Sequence, residues 1–434
     1  MTAGSGGTAR AWYPWLVWSF GPAMFFYAFF QRVAPSVMID QLMRDLDASG
    51  AVLGNLSAFY FYAYAGLQIP VGLMMDRYGP RRLLCFGALV CATGTFLFAV
   101  AGSLGPAYFG RLLVGIGASF GFVGALKLAT NWLPDHRFAL ASGLLMMAGM
   151  AGGILGQAPL AAAVEWIGWR QALLASGAAG VLLGIATWLV VRDRPGAAAG
   201  AHGRVRFMDM ARGLAIVLRT RQNWLVALTC ASMTAPLLAF AGLWGVAWLM
   251  QVHGMSRADA AVTASLLLLG WAFGSPVAGA ISDRVGRRKP PLVGAMVLGA
   301  VCLSVLLYLP GLGAGVMRLL FFVSGMCFGT MVIGFALARE SNAPEIHGAA
   351  FGFLNGAVVG TGAVFQPLVG ALLDWRWDGT TIGGAPVYDA DAYRVAFGAL
   401  LVFLGMGLIA GLSVREAAPR SPAAGGARTV GARD

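Results

Sequence analysis

Read from its amino terminus, the chain is a succession of long apolar runs separated by short polar breaks. Twelve such runs fall at about 14–36, 51–75, 83–102, 106–132, 139–162, 171–191, 223–249, 259–281, 291–310, 315–338, 348–373 and 393–413. Each is long enough for the roughly 20 residues that a spanning helix needs. Backbone groups in hydrocarbon must find partners within their own segment, so the runs are predicted helices despite many β-branched and aromatic residues. The fold class that follows is an all-α membrane protein with twelve transmembrane helices.

Composition agrees with that pattern and charge orients it. Of 434 residues, 59% are hydrophobic and 11% charged, against about 25% charged in soluble chains. The net charge of +12 would suggest nucleic acid in a soluble protein, but the basic residues sit on alternate loops. With a cytoplasmic amino terminus, the cytoplasmic segments hold most of the 30 Lys and Arg, including Arg77, Arg81, Arg82, the run 192–221 and the run 284–289. This is the positive-inside pattern. It places both termini in the cytoplasm and excludes nucleic acid as the partner; richness in Ala, Gly and Arg together with minimal loops predicts a multi-pass protein of a bacterial inner membrane in contact with the lipid bilayer. Cys85, Cys91, Cys230, Cys302 and Cys327 show neither CxxC nor His spacing, and the four histidines do not cluster. Neither a metal nor a cofactor is expected, and no enzyme chemistry is indicated.

Internal repetition divides the chain. Gly72, Asp76, Arg77, Gly79 and Arg81 match Gly279, Asp283, Arg284, Gly286 and Arg288 at a constant offset, and Arg111 matches Arg318 at the same offset. ALASG at 139–143 is similar to GAAFG at 348–352, and GQAPL at 156–160 to FQPLVG at 365–370. The expected organisation is a six-helix bundle over 1–191, a cytoplasmic linker over 192–222 with an amphipathic helix around 207–217, a second six-helix bundle over 223–414, and a disordered tail over 415–434. Repeats of this kind place a substrate between the halves near the membrane midplane.

GLMMDRYGPRR at 72–82, GAISDRVGRRK at 279–289 and RLLVGIGA at 111–118, set among twelve apolar runs, resemble the major facilitator superfamily. The resemblance covers the chain to about residue 414. It implies two pseudo-symmetric six-helix bundles, alternating access, and a loop latch at Gly72, Asp76, Arg77, Gly79, Arg81, Arg82, Gly279, Asp283, Arg284, Gly286 and Arg288 that holds the cytoplasmic ends together in the outward-open state. It also implies that Arg111 can take part in proton coupling, although an interhelical hydrogen-bonding role is the favoured reading. The RVAPSVM segment at 32–38 and the aromatic second helix resemble bacterial nutrient importers for amino acids or nucleosides, and lysosomal dipeptide carriers. Physically, Gly72 would allow close packing, Gly79 a tight turn, and Asp76 would face a neighbouring helix amino terminus. The second copy ends in RRK and reads chiefly as an anchor.

Charges inside spans are costly and mark function by default. Arg32 and Lys127 are therefore candidate substrate ligands, with snorkelling to the headgroups as the alternative for each. Tyr60, Tyr64 and Gln68 follow one face of helix 2, Asn355 and Gln366 share a face of helix 11, and Gln157 sits in the repeat-related helix 5. These are further binding candidates that could equally join helices. Trp244 and Trp248 could line an aromatic wall or anchor at the membrane interface. No Asp or Glu falls in the middle of a predicted span, which disfavours exchange of lipophilic cations for protons. Uptake of a small anionic or zwitterionic organic solute, with proton coupling left open, is the expected function of a monomer. Export is the alternative, and a transport-dead receptor the remote one.

Overall fold

The structure, a computed structural model, describes residues 12–134, 137–193 and 207–416. The first half runs through α1 (Tyr13–Val33), a short α2 (Ile39–Asp45), α3 (Gly50–Tyr78), α4 (Pro80–Val100), α5 (Leu104–Trp132), α6 (Phe138–Leu155), α7 (Ala158–Ile167) and α8 (Trp169–Val190). α9 (Phe207–Arg219) is the amphipathic helix expected in the linker. The second half holds α10 (Arg221–Ala235), a π-helical segment (Pro236–Trp244), α11 (Gly245–His253), α12 (Arg257–Val285) and α13 (Lys289–Tyr308). It continues with α14 (Ala314–Gly329), α15 (Ile333–Glu340), α16 (His347–Trp375) and α17 (Ala390–Ser413). Between α16 and α17 a hairpin pairs β1 (Thr381–Ile382) with β2 (Ala385–Pro386), Thr381 opposite Pro386.

Several of these helices are pieces of one rod. Among the described residues, joining α6 to α7, α10 to α11 and α14 to α15 leaves twelve long units, of which ten are long and apolar enough to cross a membrane. The breaks differ from the unbroken runs expected from hydropathy, and proline explains two of them. Pro159 has no N–H to bond the carbonyl of Leu155, where α6 ends, and its ring crowds that carbonyl; Gln157 departs from the helix with φ −110° and ψ −93°. Pro236 removes a donor from the ladder, and the seventh rod continues through a π-helical stretch. That rod is also the most enclosed. Of its most apolar window 89% is buried, against 33–61% for the other candidate spans, so it is sheathed by protein where they face lipid.

The rods form two six-helix bundles. The first and last described residues share one face, here the terminal face, where Tyr13 Oη donates to Val190 O at 3.4 Å, Trp132 Nε1 to Arg192 O at 3.1 Å and Gln222 Nε2 to Arg415 O at 2.7 Å. Within bundles, small residues let backbones touch. A Cβ on Gly115 would overlap the Tyr60 carbonyl, and one on Gly152 the Phe26 carbonyl.

Gly72 does not follow this rule. A Cβ there, or on its repeat partner Gly279, meets nothing within 4 Å. The expected close packing at Gly72 is absent because this end of α3 points where the halves stand apart. The other glycines of the motif serve the turn: Gly79 has φ +79° and Gly286 φ +67°. Gly115→Leu is expected to destabilise the protein by about 1–3 kcal/mol, whereas Gly72→Ala changes stability by less than about 0.5 kcal/mol. Thermal melting of the purified protein checks both; a Gly115→Leu protein that melts with the wild type contradicts the close approach of α5 and α3.

Candidate functional site

On the face opposite the termini the two bundles are in backbone contact. A Cβ on Gly54 would overlap the Gln366 carbonyl, and one on Gly370 the Gly50 carbonyl, so α3 and α16 meet without side chains between them. Asp374, at the end of α16, accepts from Gly50 N and Ala51 N at 2.8 Å each and from Tyr388 Oη at 2.7 Å. A carboxylate of one half thus caps the amino terminus of a helix of the other, where unpaired N–H groups and the helix dipole favour negative charge. Beside it Arg257, at the start of α12, donates to both oxygens of Asp40 on α2, at 2.9 and 2.8 Å, and to Val37 O at 2.6 Å. Burial pushes the Asp40 carboxyl up, but the hydrogen bonds and charge of Arg257 outweigh it and hold the group below the usual carboxylate range.

Toward the terminal face the same two helices diverge. Cβ atoms on Gly66 of α3 and on Gly348, Gly352, Gly356 and Gly360 of α16 would meet nothing within 4 Å. The molecule is therefore sealed on one face and parted on the other.

Just beneath the seal lies a small cavity of about 10 Å³, room for about one water. The first half contributes Phe29, Arg32, Val33 and Phe61; the π-helical segment contributes Leu237, Leu238 and Gly242; Leu268 and Gln366 complete it. Arg32 is 7% exposed and is not snorkelling. Its guanidinium carbon sits 4.0 Å from the Phe29 ring centre, 5.1 Å from Tyr64, 5.4 Å from Tyr60 and 5.7 Å from Phe61. Nε donates a long bond of 3.4 Å to Tyr60 Oη. Aromatic faces stabilise a desolvated guanidinium by about 2 kcal/mol, yet they supply no negative charge, and no carboxylate lines the cavity.

The two repeat-related glutamines converge on the π-helical segment. Gln157, fully buried, donates to Ala241 O at 2.7 Å and accepts from Ser265 Oγ at 3.0 Å. Gln366, 1% exposed, donates to Leu238 O at 2.8 Å, and its own carbonyl accepts from Trp244 Nε1 at 3.0 Å. Trp244 and Trp248 are 0% and 3% exposed; the interface-anchoring alternative fails because the seventh rod is enclosed by protein. Tyr60 and Tyr64 stack with centroids 5.8 Å apart, and Gln68 donates to Tyr64 O at 3.3 Å. Asn355 and Lys127 are half-exposed, nearer the parted face. Arg32, Tyr60, Tyr64 and Gln366 thus come together, Gln157 serves the contact between halves, and Asn355 and Lys127 stand outside the cavity wall.

Arg111 is 1% exposed and ties three helices, donating from α5 to Gln31 O of α1 at 2.9 Å and to Ser57 O of α3 at 3.5 Å. Its carbon lies 5.4 Å from the Tyr60 ring centre, as does that of Arg32. The repeat partner Arg318 is instead half-exposed and paired with Asp259 at 3.1 Å.

Both loop motifs bond within their own half. Arg81 N donates to Asp193 Oδ1 at 3.1 Å, and its side chain to Trp188 O at 3.0 and 2.7 Å. Arg77 lies 5.3 Å over the Tyr78 ring, while Arg82 and Arg284 are exposed. The Asp76 side chain lies outside the described residues. Arg288 pairs with Asp283 at 2.6 Å and Glu340 at 3.3 Å, and its backbone N donates to Glu416 Oε1 at 2.6 Å. Burial opposes the charge on Glu416, but the amides of Lys289 and Arg288 and the guanidinium of Arg287 hold its carboxyl below the usual range. The second copy is therefore densely bonded within its own half. The reason is that Glu340 and Glu416, distant in sequence, fold back onto it.

Sequence reasoning missed Asp374, the Asp40–Arg257 pair and the π-helical segment. The usable signal was an acid at the end of an apolar run and a proline in mid-span.

The profile of the Major Facilitator Superfamily matches residues 20–367 and 239–431, so the chain belongs to that superfamily, whose members are transporters and not enzymes. It is 25% identical over 279 residues to a protein of Cupriavidus necator described as a probable sulfoacetate transporter, covering 61% of this chain and 64% of that one. It is 28% identical over 346 residues to the gentisate transporter of Corynebacterium glutamicum, covering 77% and 76%. The fold is shared with a crystal structure of a bacterial homologue of the human lysosomal transporter Spinster, in an inward-facing and unoccupied conformation. The TM-score is 0.78 at 18% identity, covering 94% of this chain and 99% of that one.

Removing the Asp374 cap is expected to loosen the seal. In a background with the five free cysteines replaced by serine, Ser36→Cys places a thiol beneath the seal, at a position 2% exposed. Adding Asp374→Ala should raise its rate of labelling by a bulky maleimide about tenfold, the equivalent of about 1.4 kcal/mol, within the range for loss of a partly buried, hydrogen-bonded carboxylate. An unchanged rate removes Asp374 from the seal. Because the Asp40 carboxyl is depressed in the sealed state, its stabilisation is present above the ordinary carboxylate pKa of about 4 and is lost as pH falls through the lower sealed-state value. Taken as a ratio to the labelling of a small free thiol at the same pH, which removes the dependence on thiolate, accessibility should be flat from about pH 5 to 8 and rise only below about pH 4; a change in that ratio near neutrality would assign the seal to other groups.

Proposed function

We propose that the chain imports a small organic anion by alternating access, with Arg32 holding the anionic group at the junction of the two halves. The observation that carries this reading is a guanidinium buried among aromatic rings and apolar side chains with no acid lining its cavity. A buried ion without a counter-charge carries a desolvation penalty of several kcal/mol. A carboxylate or sulfonate entering between the halves relieves it, and Arg offers bidentate contact that Lys does not. Arg111, the second buried guanidinium beside Tyr60, makes the same region positive. The names of the two relatives, sulfoacetate and gentisate transporters, are in keeping with an organic anion.

The basic residues of the terminal face make it the cytoplasmic one, so the sealed face is external and this conformation is open to the cytoplasm. In this reading the outward-open state breaks the Asp374 cap and the Asp40–Arg257 pair, while the loops after α3 and α12 close the cytoplasmic ends. Asp76 then faces the amino terminus of α16, the reciprocal of Asp374 facing the amino terminus of α3. A latch at each end of one helix pair permits either face to open but disfavours both opening together.

Reconstituted into proteoliposomes, the protein should accumulate radiolabelled carboxylates or sulfonates from a panel that also holds amino acids, dipeptides, nucleosides and lipophilic cations. Arg32→Ala should lower that uptake at least about 100-fold, the scale of losing a charged partner in a desolvated site, with thermal stability retained. Transport confined to lipophilic cations, or full uptake by Arg32→Ala, overturns the proposal.

A further inference from the structure

We infer that α9 is a docking surface for the headgroups of anionic phospholipid, and that through it the bilayer holds the start of α16, one of the two helices that part on the terminal face. The docking is independent of the substrate; only the choice of leaflet rests on the terminal face being cytoplasmic.

Residues four or seven apart share a face of a helix, and α9 shows three faces in turn. Gly213 and Val217 are buried, and a Cβ on Gly213 would lie 3.3 Å from Ile346 Cγ2 and 3.5 Å from Ala349 Cβ, at the start of α16. Next round the helix come Leu214, half-buried, and Leu218, exposed. Ala215, Arg219 and Arg212 follow, all exposed. The protein thus covers only part of the apolar surface of α9, and the part left bare adjoins the basic face. Ile216 closes the circle as an exposed apolar residue on the polar side.

The end of α9 is bonded to the second half. Asn223 Nδ2 donates to Val217 O at 3.1 Å and to Asn342 Oδ1 at 3.0 Å, and Trp224 Nε1 donates to Leu218 O at 2.8 Å. The Trp224 ring stands edge-on to Phe353 of α16 with centroids 4.9 Å apart, yet the residue is exposed. Only Thr220 separates α9 from the seventh rod, which begins at Arg221 as a candidate span. α9 therefore sits where a span leaves the bilayer, and an exposed tryptophan beside a bare leucine suits the level at which hydrocarbon gives way to headgroups.

Charge complementarity names the lipid. Over 207–221 the chain carries three arginines, Arg212, Arg219 and Arg221, against one acid, Asp209. The apolar edge calls for lipid beside it rather than water, and a net positive face at headgroup level favours anionic over zwitterionic phospholipid. A soluble acidic protein would satisfy the arginines and leave the Leu218 edge and Trp224 uncovered. Because Gly213 rests on α16 and Trp224 on Phe353, headgroups that hold α9 also hold the start of α16.

The test uses the full chain with its five free cysteines replaced by serine and Ala215→Cys carrying a bimane fluorophore. Ala215 is exposed between the Leu218 edge and Arg219. The protein is reconstituted in phosphatidylcholine vesicles that contain a small, equal fraction of phosphatidylglycerol or phosphatidylcholine bearing a nitroxide near the headgroup. Phosphatidylglycerol should associate with the α9 site about fivefold or more in preference to phosphatidylcholine, the equivalent of about 1 kcal/mol. The preference should fall below about twofold in about 0.5 M NaCl, which screens exposed charges. The triple variant Arg212→Gln, Arg219→Gln, Arg221→Gln should lose it with an unchanged melting temperature, and the corresponding three lysine substitutions should keep it. Equal quenching by the two lipids in the parent protein, a preference indifferent to salt, or one that survives in the glutamine variant overturns the inference. Absence of quenching by either lipid also overturns it, since α9 would then lie off the bilayer and its arginines would serve a soluble partner.

Discussion

A positive charge without a counter-charge, held where two apolar bundles meet, is the constraint on which the rest of this structure turns. Arg32 cannot reach the headgroups from its place beneath the seal, and the rings of Phe29, Tyr60, Phe61 and Tyr64 soften its desolvation without neutralising it. Among the residues that line its cavity there is no acid, and the proposed function rests on a solute supplying that charge. Acids are present in the molecule, but Asp40, Asp374, Asp283 and Glu340 are engaged at the two faces. Asp40 and Asp374 join the halves, while Asp283 and Glu340 pair with Arg288 inside the second half.

The seal shows how a membrane protein can close one face with few side chains. Glycine at 50, 54 and 370 brings two backbones into contact, and a single carboxylate spans the junction by capping a helix. Such a contact is strong when formed and depends on geometry, so a small rocking of one bundle ends it. The seventh rod serves the same end. Its π-helical segment presents Ala241 and Leu238 carbonyls to two glutamines, one from each half, and so joins the bundles to the wall of the cavity. Opening the seal must disturb the Gln157 contact, and the cavity with it.

Much of the architecture was legible from residue order alone. Hydropathy located the rods, the repeated GxxxDRxG loops announced two related halves, and the scarcity of intramembrane acid pointed to anions. Arg32 stood out because a charge in a span is expensive. Helix 2 displayed Tyr60 and Tyr64 by simple spacing. What escaped was long-range by nature. Asp374 and Gly50 are 324 residues apart, and neither carries a local sign of meeting the other. Gln157 and Gln366 were visible as a repeated pair, but hydropathy does not reveal that one binds across the halves while the other bonds within its own. The unequal fates of Arg111 and Arg318 show that sequence symmetry does not ensure symmetric burial.

The central claim, that Arg32 needs an anion from solution, is tested most directly by comparing carboxylic acids with their uncharged amides of the same shape. Calorimetric binding to the wild type and to Arg32→Gln isolates the charge from the shape. The account predicts that acids bind the wild type at least about tenfold more tightly than the amides, and that Arg32→Gln shows no such preference. Amides that bind as tightly as acids, or a preference for acids that persists without the guanidinium, would contradict it.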